Sequence, residues 1–329
     1  MNRNRFLTAA AADTDFGLPR PLLPIVIAII LSVLGVISVA AQQAAPLPGV
    51  RARMIVTVEA RHGSEPPVIH REDVMVYEGR DRDQVTDWIP LQGGTAALQL
   101  FVLIDDAADT TALGSQLQEL SKFINAQPAT TAIGVAYMRN GAAAITQNLT
   151  SDHAQAAKAL RLPLGDPGAS ASPYFSLADL VKRWPETEAH REVLMITDGI
   201  DRFYGSGPSD PYVDEAISQA QRAGIVVFSI YTPSAGHFGH SFWRTNWGQN
   251  YLSQLSDETG GESYYLGSGA PVSFGPYLDD LASRLKRQYL LTFLAKPEDK
   301  AGLRKVKLRT EVPNAELVAA DQVYVPAGK

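Results

Sequence analysis

The residues of this chain best placed to do chemistry are aspartates at the ends of two apolar runs. Residues 98–109 (LQLFVLIDDAAD) and 193–201 (VLMITDGID) are each short enough to form a buried strand, and each ends in acids. In an open α/β sheet the loops at the carboxyl ends of strands form the ligand crevice. Two such ends side by side would gather Asp105, Asp109 and Asp198 around one point. Carboxylates held that close repel unless a cation sits between them or a proton is taken up. The pattern predicts a metal-dependent binding site, or the remnant of one.

Positioning these acids requires strands alternating with helices. From Leu98 onward the apolar periodicity switches between the two, which predicts a mostly parallel, doubly wound sheet with helices on both faces. Strands are expected over 98–104, 131–137, 144–149, 192–197, 225–231 and 262–265, and helices over 113–126, 152–160, 176–184, 211–223, 247–259 and 276–285. Ahead of this region, 54–60, 74–77 and 85–91 alternate as strands, with the charged stretch 78–83 as the turn between the last two. Strand character returns at 288–294, 304–310 and 316–325. The expected division is therefore an N-terminal β module over 44–95, an α/β domain over 96–287, and C-terminal strands over 288–329 packing with the N-terminal module.

Bulk properties narrow the function. The 329 residues, 45% hydrophobic and 19% charged, describe a globular chain. A formal net charge of -6 without a Lys/Arg block argues against a nucleic-acid partner. The absence of cysteine excludes disulfides, thiolate metal sites and cysteine nucleophiles. At the N-terminus, Arg3, Arg5 and Arg20 precede an uncharged apolar stretch over 22–41, and Ser38, Val39 and Ala40 have the small-x-small form of a cleavage site. Residues 1–43 thus read as a signal peptide or a retained membrane anchor, since roughly 17 apolar residues can span a bilayer. The remainder is expected outside the cytoplasm: periplasmic, secreted, or held to the membrane by 22–41 alone.

The two acid-tipped strands, their separation and the Thr197-Asp198-Gly199 ending resemble a von Willebrand factor type A domain over residues 96–287. The flanks, 72–78 (EDVMVYE) and 289–293 (YLLTF), are similar to those of exported type A proteins of acidobacteria. The resemblance implies a metal-ion-dependent adhesion site. There Mg²⁺ or a similar ion, bound by Asp-x-Ser-x-Ser, a Thr and a later Asp, accepts a carboxylate from a protein partner. Mg²⁺ suits such oxygen donors, being held by one or two carboxylates with waters. Carried over residue by residue, Asp105 matches the first Asp and Asp198 the last. Ala107 and Asp109 stand where the two serines belong. Ser172 best matches the Thr, with Ser170 as second choice.

Other readings stay open. Asp105, Asp106 and Asp109 are also suited to capping a following helix, and Asp198-Gly199 to a plain turn. The insertion 234–247 (SAGHFGHSFWRTNW) places Phe238, Phe242, Trp243 and Trp247 in a loop on the same rim, where they would bind a partner or fold back as a satellite core. His237 and His240 lie in the same insertion. The expected function is an exported, non-catalytic, adhesion-type protein-binding domain. The alternatives are a structural scaffold with a decayed metal site and, more remotely, an exported hydrolase, for which no Gly-x-Ser-x-Gly, His-Glu-x-x-His or phosphate-loop motif is present.

Overall fold

A computed structural model of the chain describes residues 49–328 apart from 165–171, 186, 188, 204–206, 208 and 236–240. The chain divides into two compact units, Met1–Pro48 and Gly49–Lys329. The first, with the predicted export segment, lies outside the described residues, as do Ser170, His237, Phe238 and His240. Among the described residues no helix is long and apolar enough to cross a membrane.

The second unit opens with three strands, β1 (Val50–Ala60), β2 (Met75–Glu78) and β3 (Asp81–Pro90). The turn between β2 and β3 is confined to Gly79 and Arg80, so most of the charged stretch expected as a turn is strand. Gly79 has a φ of 62°, which a tight connection requires and which costs glycine no steric clash.

The α/β region follows in chain order: β4 (Leu98–Asp105), α1 (Thr110–Leu113), α2 (Gln116–Asn125), β5 (Thr131–Arg139), β6 (Ala142–Thr150), α3 (His153–Lys158), α4 (Pro173–Arg183), β7 (His190–Thr197), α5 (Pro211–Ala223), β8 (Ile225–Tyr231), α6 (Phe242–Thr259), β9 (Ser263–Tyr264) and α7 (Gly275–Leu285). Its sheet has the order β6-β5-β4-β7-β8-β9, parallel except for the antiparallel edge strand β6. This is the doubly wound α/β class that the sequence predicts.

Side chains of a strand alternate between faces, and here both faces are covered. Leu100, Val102 and Ile104 of β4 meet Leu120 and Ile124 of α2 and Leu278 and Leu281 of α7. Phe101 and Leu103 meet Leu177 of α4, Ile217 of α5 and Leu255 of α6. That two-sided burial is why the central strands read as continuous apolar runs and not as alternations.

The chain then returns through β10 (Gln288–Ala295), β11 (Gly302–Lys305), β12 (Lys307–Arg309), β13 (Ala315–Ala319) and β14 (Gln322–Val325). β10 inserts between β3 and β1, giving an antiparallel sheet of order β12-β2-β3-β10-β1-β13, while β11 pairs with β14. Val56, Val76, Leu291, Phe293 and Val325 form the core of this flanking module. Trp88 stacks on Tyr289 with ring centroids 4.4 Å apart.

Candidate functional site: a crevice closed by an ion pair

The strand order reverses between β4 and β7, because β4 leads outward to β5 and β6 while β7 leads the other way to β8 and β9. A reversal of this kind opens a crevice at the carboxyl ends of the two strands. Asp105 ends β4, and Asp198 directly follows β7. Both are buried, at 2% and 7% exposure.

Asp105 is held on each oxygen. Oδ1 accepts from the backbone N–H of Ala107 at 2.8 Å, and Oδ2 accepts from the Thr197 hydroxyl at 2.7 Å. Burial, and then the neighbouring Asp198 charge, push its carboxyl up to about 6; the bonds from Ala107 and Thr197 and the charge of Arg202 pull the other way.

Asp198 is equally engaged. Its Oδ1 accepts from Ile200 N–H at 2.9 Å, and its Oδ2 accepts from the Arg202 guanidinium at 3.0 Å and from the Ser234 hydroxyl. Arg202 also donates to Ser234. Ser234 reaches this position because the segment after β8 is stitched to the loop after β4. Asp109 N–H bonds Pro233 O at 3.0 Å, and Ala235 N–H bonds Ala107 O at 3.0 Å.

The structure thus brings Asp105 and Asp198 together and turns the other two predicted ligands to other partners. Ser172 is the N-cap of α4, its Oγ accepting from Phe175 N–H at 3.2 Å and donating to the buried Asp201. Asp109 Oδ1 accepts from Thr111 N–H at 2.8 Å at the start of α1, the capping role that its position after a strand also allowed. Asp106, one residue from the crevice, accepts both guanidinium nitrogens of Arg161 at 2.6 and 2.8 Å, while that guanidinium lies 3.8 Å from the centroid of the Tyr137 ring.

As arranged, these groups do not fit a divalent ion. The oxygens of Asp105 and Asp198 already accept from N–H and O–H donors, Ala107 supplies no hydroxyl, and an arginine stands on the carboxylate that would face the metal. Among the described residues no group of three or more His, Asp or Glu side chains is arranged to hold a metal.

The predicted aromatic insertion is in part helix. Ser241 caps α6, which starts at Phe242, so Phe242, Trp243 and Trp247 sit in its first turns. Phe242 and Trp243 are 66% and 65% exposed and pack edge to face, whereas Trp247 is half-buried against the core. α6 packs directly on the acid loop: a Cβ at Gly248 would lie 1.9 Å from the carbonyl oxygen of Asp198. The aromatic pair is therefore fixed to the same loop that carries the ion pair.

Sequence reasoning missed Arg202, Ser234, Asp201 and Arg161 as members of this site. Arg202 had one signal, a basic residue four places after Asp198 within the same loop. Arg161 had none, being 55 residues from its partner.

No family model matches the sequence, and no curated protein matches it. Among solved structures the chain is similar to an aerotolerance-related membrane protein from Bacteroides fragilis NCTC 9343 carrying multiple mutations to serines, with 14% identity and a TM-score of 0.41 over 57% of this chain and 98% of that one. It is also similar to the SpRpn10 VWA domain, with 11% identity and a TM-score of 0.37 over 56% of this chain and 95% of that one. Likenesses of this size carry no argument about activity or partners.

Proposed function

We propose that the chain is an exported, non-catalytic protein-binding domain of the von Willebrand factor type A kind, whose contact surface is an apolar rim around a crevice that works without metal. One observation carries the reading. Of twelve exposed large hydrophobic residues among those described, all but Val68, Ile89 and Tyr324 lie on loops or helix starts at the carboxyl ends of the strands of the α/β sheet. Exposed apolar residues scattered singly need no explanation, but their concentration on one rim marks an interaction surface. Trp and Phe are among the side chains enriched in such contacts, and Trp is among the commonest anchors.

The partner is engaged through apolar and aromatic contacts, not through a carboxylate bridging a Mg²⁺ ion. Export rests on the basic flank and apolar stretch before residue 44. A scaffold role that used only the flanking β module would leave the apolar rim without a purpose, and that rim is what favours binding.

The test is site-specific photo-crosslinking in the full chain, with a benzophenone side chain at 243 and, as control, at 324 on the flanking module. Discrete protein adducts at 243 that persist in EDTA and disappear with Phe242→Ser support the proposal. Adducts absent at 243, or equal at both positions, sink it.

A further inference from the structure

We propose that Arg202 is the resident cation of this crevice, holding the position between strand-end acids that a divalent ion would otherwise take, and that removing it converts the crevice into a metal site. The inference concerns cation chemistry and stands whether or not the rim binds a partner.

The geometry gives three supports. First, two buried carboxylates share the switch point, and a pair so placed requires neutralisation. Second, the neutralising group is present within the chain. The Arg202 side chain is 9% exposed, it donates to Asp198 Oδ2 at 3.0 Å, and its charge also acts favourably on Asp105. Third, Ser234 closes the triangle, donating to Asp198 and accepting from Arg202, so that a hydroxyl which would suit a metal is committed to the ion pair.

Ala107 fits the same logic. A hydroxyl there has no ion to bind, and the residue contributes its backbone N–H to Asp105 and its carbonyl to Ala235 instead. Arginine suits this role because its charge never titrates away. One guanidinium nitrogen, Nη2, donates to both the Asp198 carboxylate and the Ser234 hydroxyl.

Deleting the guanidinium would leave the Asp198 carboxylate and the Ser234 hydroxyl beside a guanidinium-sized space, with Asp105, still bonded to Ala107 N–H and the Thr197 hydroxyl, as the neighbouring carboxylate. One or two carboxylates with waters is the ligand set that Mg²⁺ and similar ions accept. Arg202→Ala should therefore gain what the natural chain lacks.

The experiment is a Mn²⁺ titration of the full chain, read by calorimetry and by thermal unfolding, for the natural protein, Arg202→Ala, Arg202→Gln and Arg202→Ala with Asp198→Asn. The natural chain should show no Mn²⁺ binding and no Tm shift at millimolar ion. Arg202→Ala, destabilised in EDTA, should rise by roughly 5 °C or more at saturating Mn²⁺, and the double variant should show no rise. Arg202→Gln, which keeps part of the side chain and a polar amide but no charge, fills part of the vacated space and should show a smaller rise in the same direction. Recovery of a folded Arg202→Ala only when Mn²⁺ is present counts as support. Two outcomes overturn the proposal: Mn²⁺ binding by the natural chain that Asp198→Asn abolishes, or Arg202 variants whose stability Mn²⁺ leaves unchanged.

Discussion

The Arg202 guanidinium donates to Oδ2 of Asp198 across 3.0 Å, with both side chains more than nine-tenths buried. A buried pair of this sort need not exceed an apolar replacement in stability, yet breaking it from one side leaves an uncompensated charge, at a cost of about 3–5 kcal/mol. Asp198→Asn should therefore lower the unfolding free energy by about that amount at neutral pH. Asp198→Asn combined with Arg202→Met should lie closer to the natural chain than Asp198→Asn alone, because the stranded cation has gone. Urea denaturation of the natural chain, Asp198→Asn, Arg202→Met and the double variant provides the cycle. Strictly additive losses would show that the two residues do not act as a pair.

The close approach of Asp198 and Gly248 sets a second expectation. The Asp198 carbonyl occupies the space of any side chain at 248, and Gly199, at a φ of 71°, leaves only 2.5 Å between a Cβ and the Gly248 carbonyl. Overpacking at a backbone contact costs about 1–3 kcal/mol or more, so Gly248→Ala and Gly199→Ala should each destabilise by at least about 2 kcal/mol. Gly94→Ala, whose Cβ would meet nothing within 4 Å, is the control. A Gly248→Ala variant as stable as the control would mean that α6 is not seated on the acid loop.

The parts of the fold legible in the sequence were those set by burial on two faces. Leu98–Asp105 and Ile225–Tyr231 read as strands because no polar residue interrupts the run enough to mark a solvent face. The α5 helix, Pro211–Ala223, was bounded by local chemistry: Asp210 caps it, and Gly224 ends it at a φ of 64°. The start of α6 was not legible, since the glycines and histidines just before it suggested a loop, and aromatic residues have only average helix preference. The local mark of that start is Ser241, the N-cap, whose side chain accepts from Arg244 N–H.

The site was half legible. Asp105 and Asp198 follow from the ends of two apolar strands, and the doubly wound topology makes those ends neighbours. Asp109 took the helix-capping role that its position also allowed, while Ser172 caps α4 and donates to Asp201, a partner 29 residues away that spacing does not reveal. Arg202, whose signal was only its place four residues after Asp198, and Ser234 were hard to read for a different reason. A counter-ion supplied by the chain itself carries no motif, and its identity emerges only when the loops after β7 and β8 are brought together.

Arg161 and Asp106 form a second ion pair beside the crevice, and here the identity of the base matters. Asp106 accepts two nitrogens from a guanidinium that also lies over the Tyr137 ring. The Arg161 side chain is 37% exposed but that of Asp106 only 7%, so its loss is felt mainly as a carboxylate left without its donors. Arg161→Ala should cost about 1–3 kcal/mol, and Arg161→Lys should restore less than half of it, since a lysine offers neither the fork nor the planar stack. Urea midpoints for the two variants and Asp106→Asn decide the matter. Full recovery with lysine would reduce the pair to a simple surface charge contact.

The two exposed aromatics at the start of α6 should matter for binding and not for folding. Phe242→Ser and Trp243→Ser remove side chains that are two-thirds exposed, so each should change stability by no more than about 0.5 kcal/mol. Trp247→Ala, which empties a half-buried position against the core, should cost about 3 kcal/mol. Crosslinking yield at position 243 should fall at least tenfold with Phe242→Ser while thermal unfolding stays unchanged. A parallel loss of stability would place Phe242 in the core of the rim and not on its face.

Glu192 supplies a pH dependence far from the crevice, at the junction of the two sheets. It lies on β7, fully buried, and its Oε1 accepts from the Gln288 amide on β10 at 2.6 Å. Its Oε2 and the Gln288 Oε1 are both buried acceptors without a donor. Burial pushes the Glu192 carboxyl up to about 8, with the Gln288 bond opposing the shift. The folded state thus keeps a proton that the unfolded chain releases above the ordinary value of 4.5. Stability from this group is complete below pH 4.5, falls as pH rises toward 8, and levels off beyond it. The slope is about 1.4 kcal/mol per pH unit within that window. Glu192→Gln keeps an amide donor toward Gln288 and cannot ionise, so its stability should lose this slope and exceed that of the natural chain at pH 8 and above. Equilibrium denaturation from pH 5 to 9 on both proteins measures the difference, and parallel curves would mean that Glu192 is ionised in the folded state.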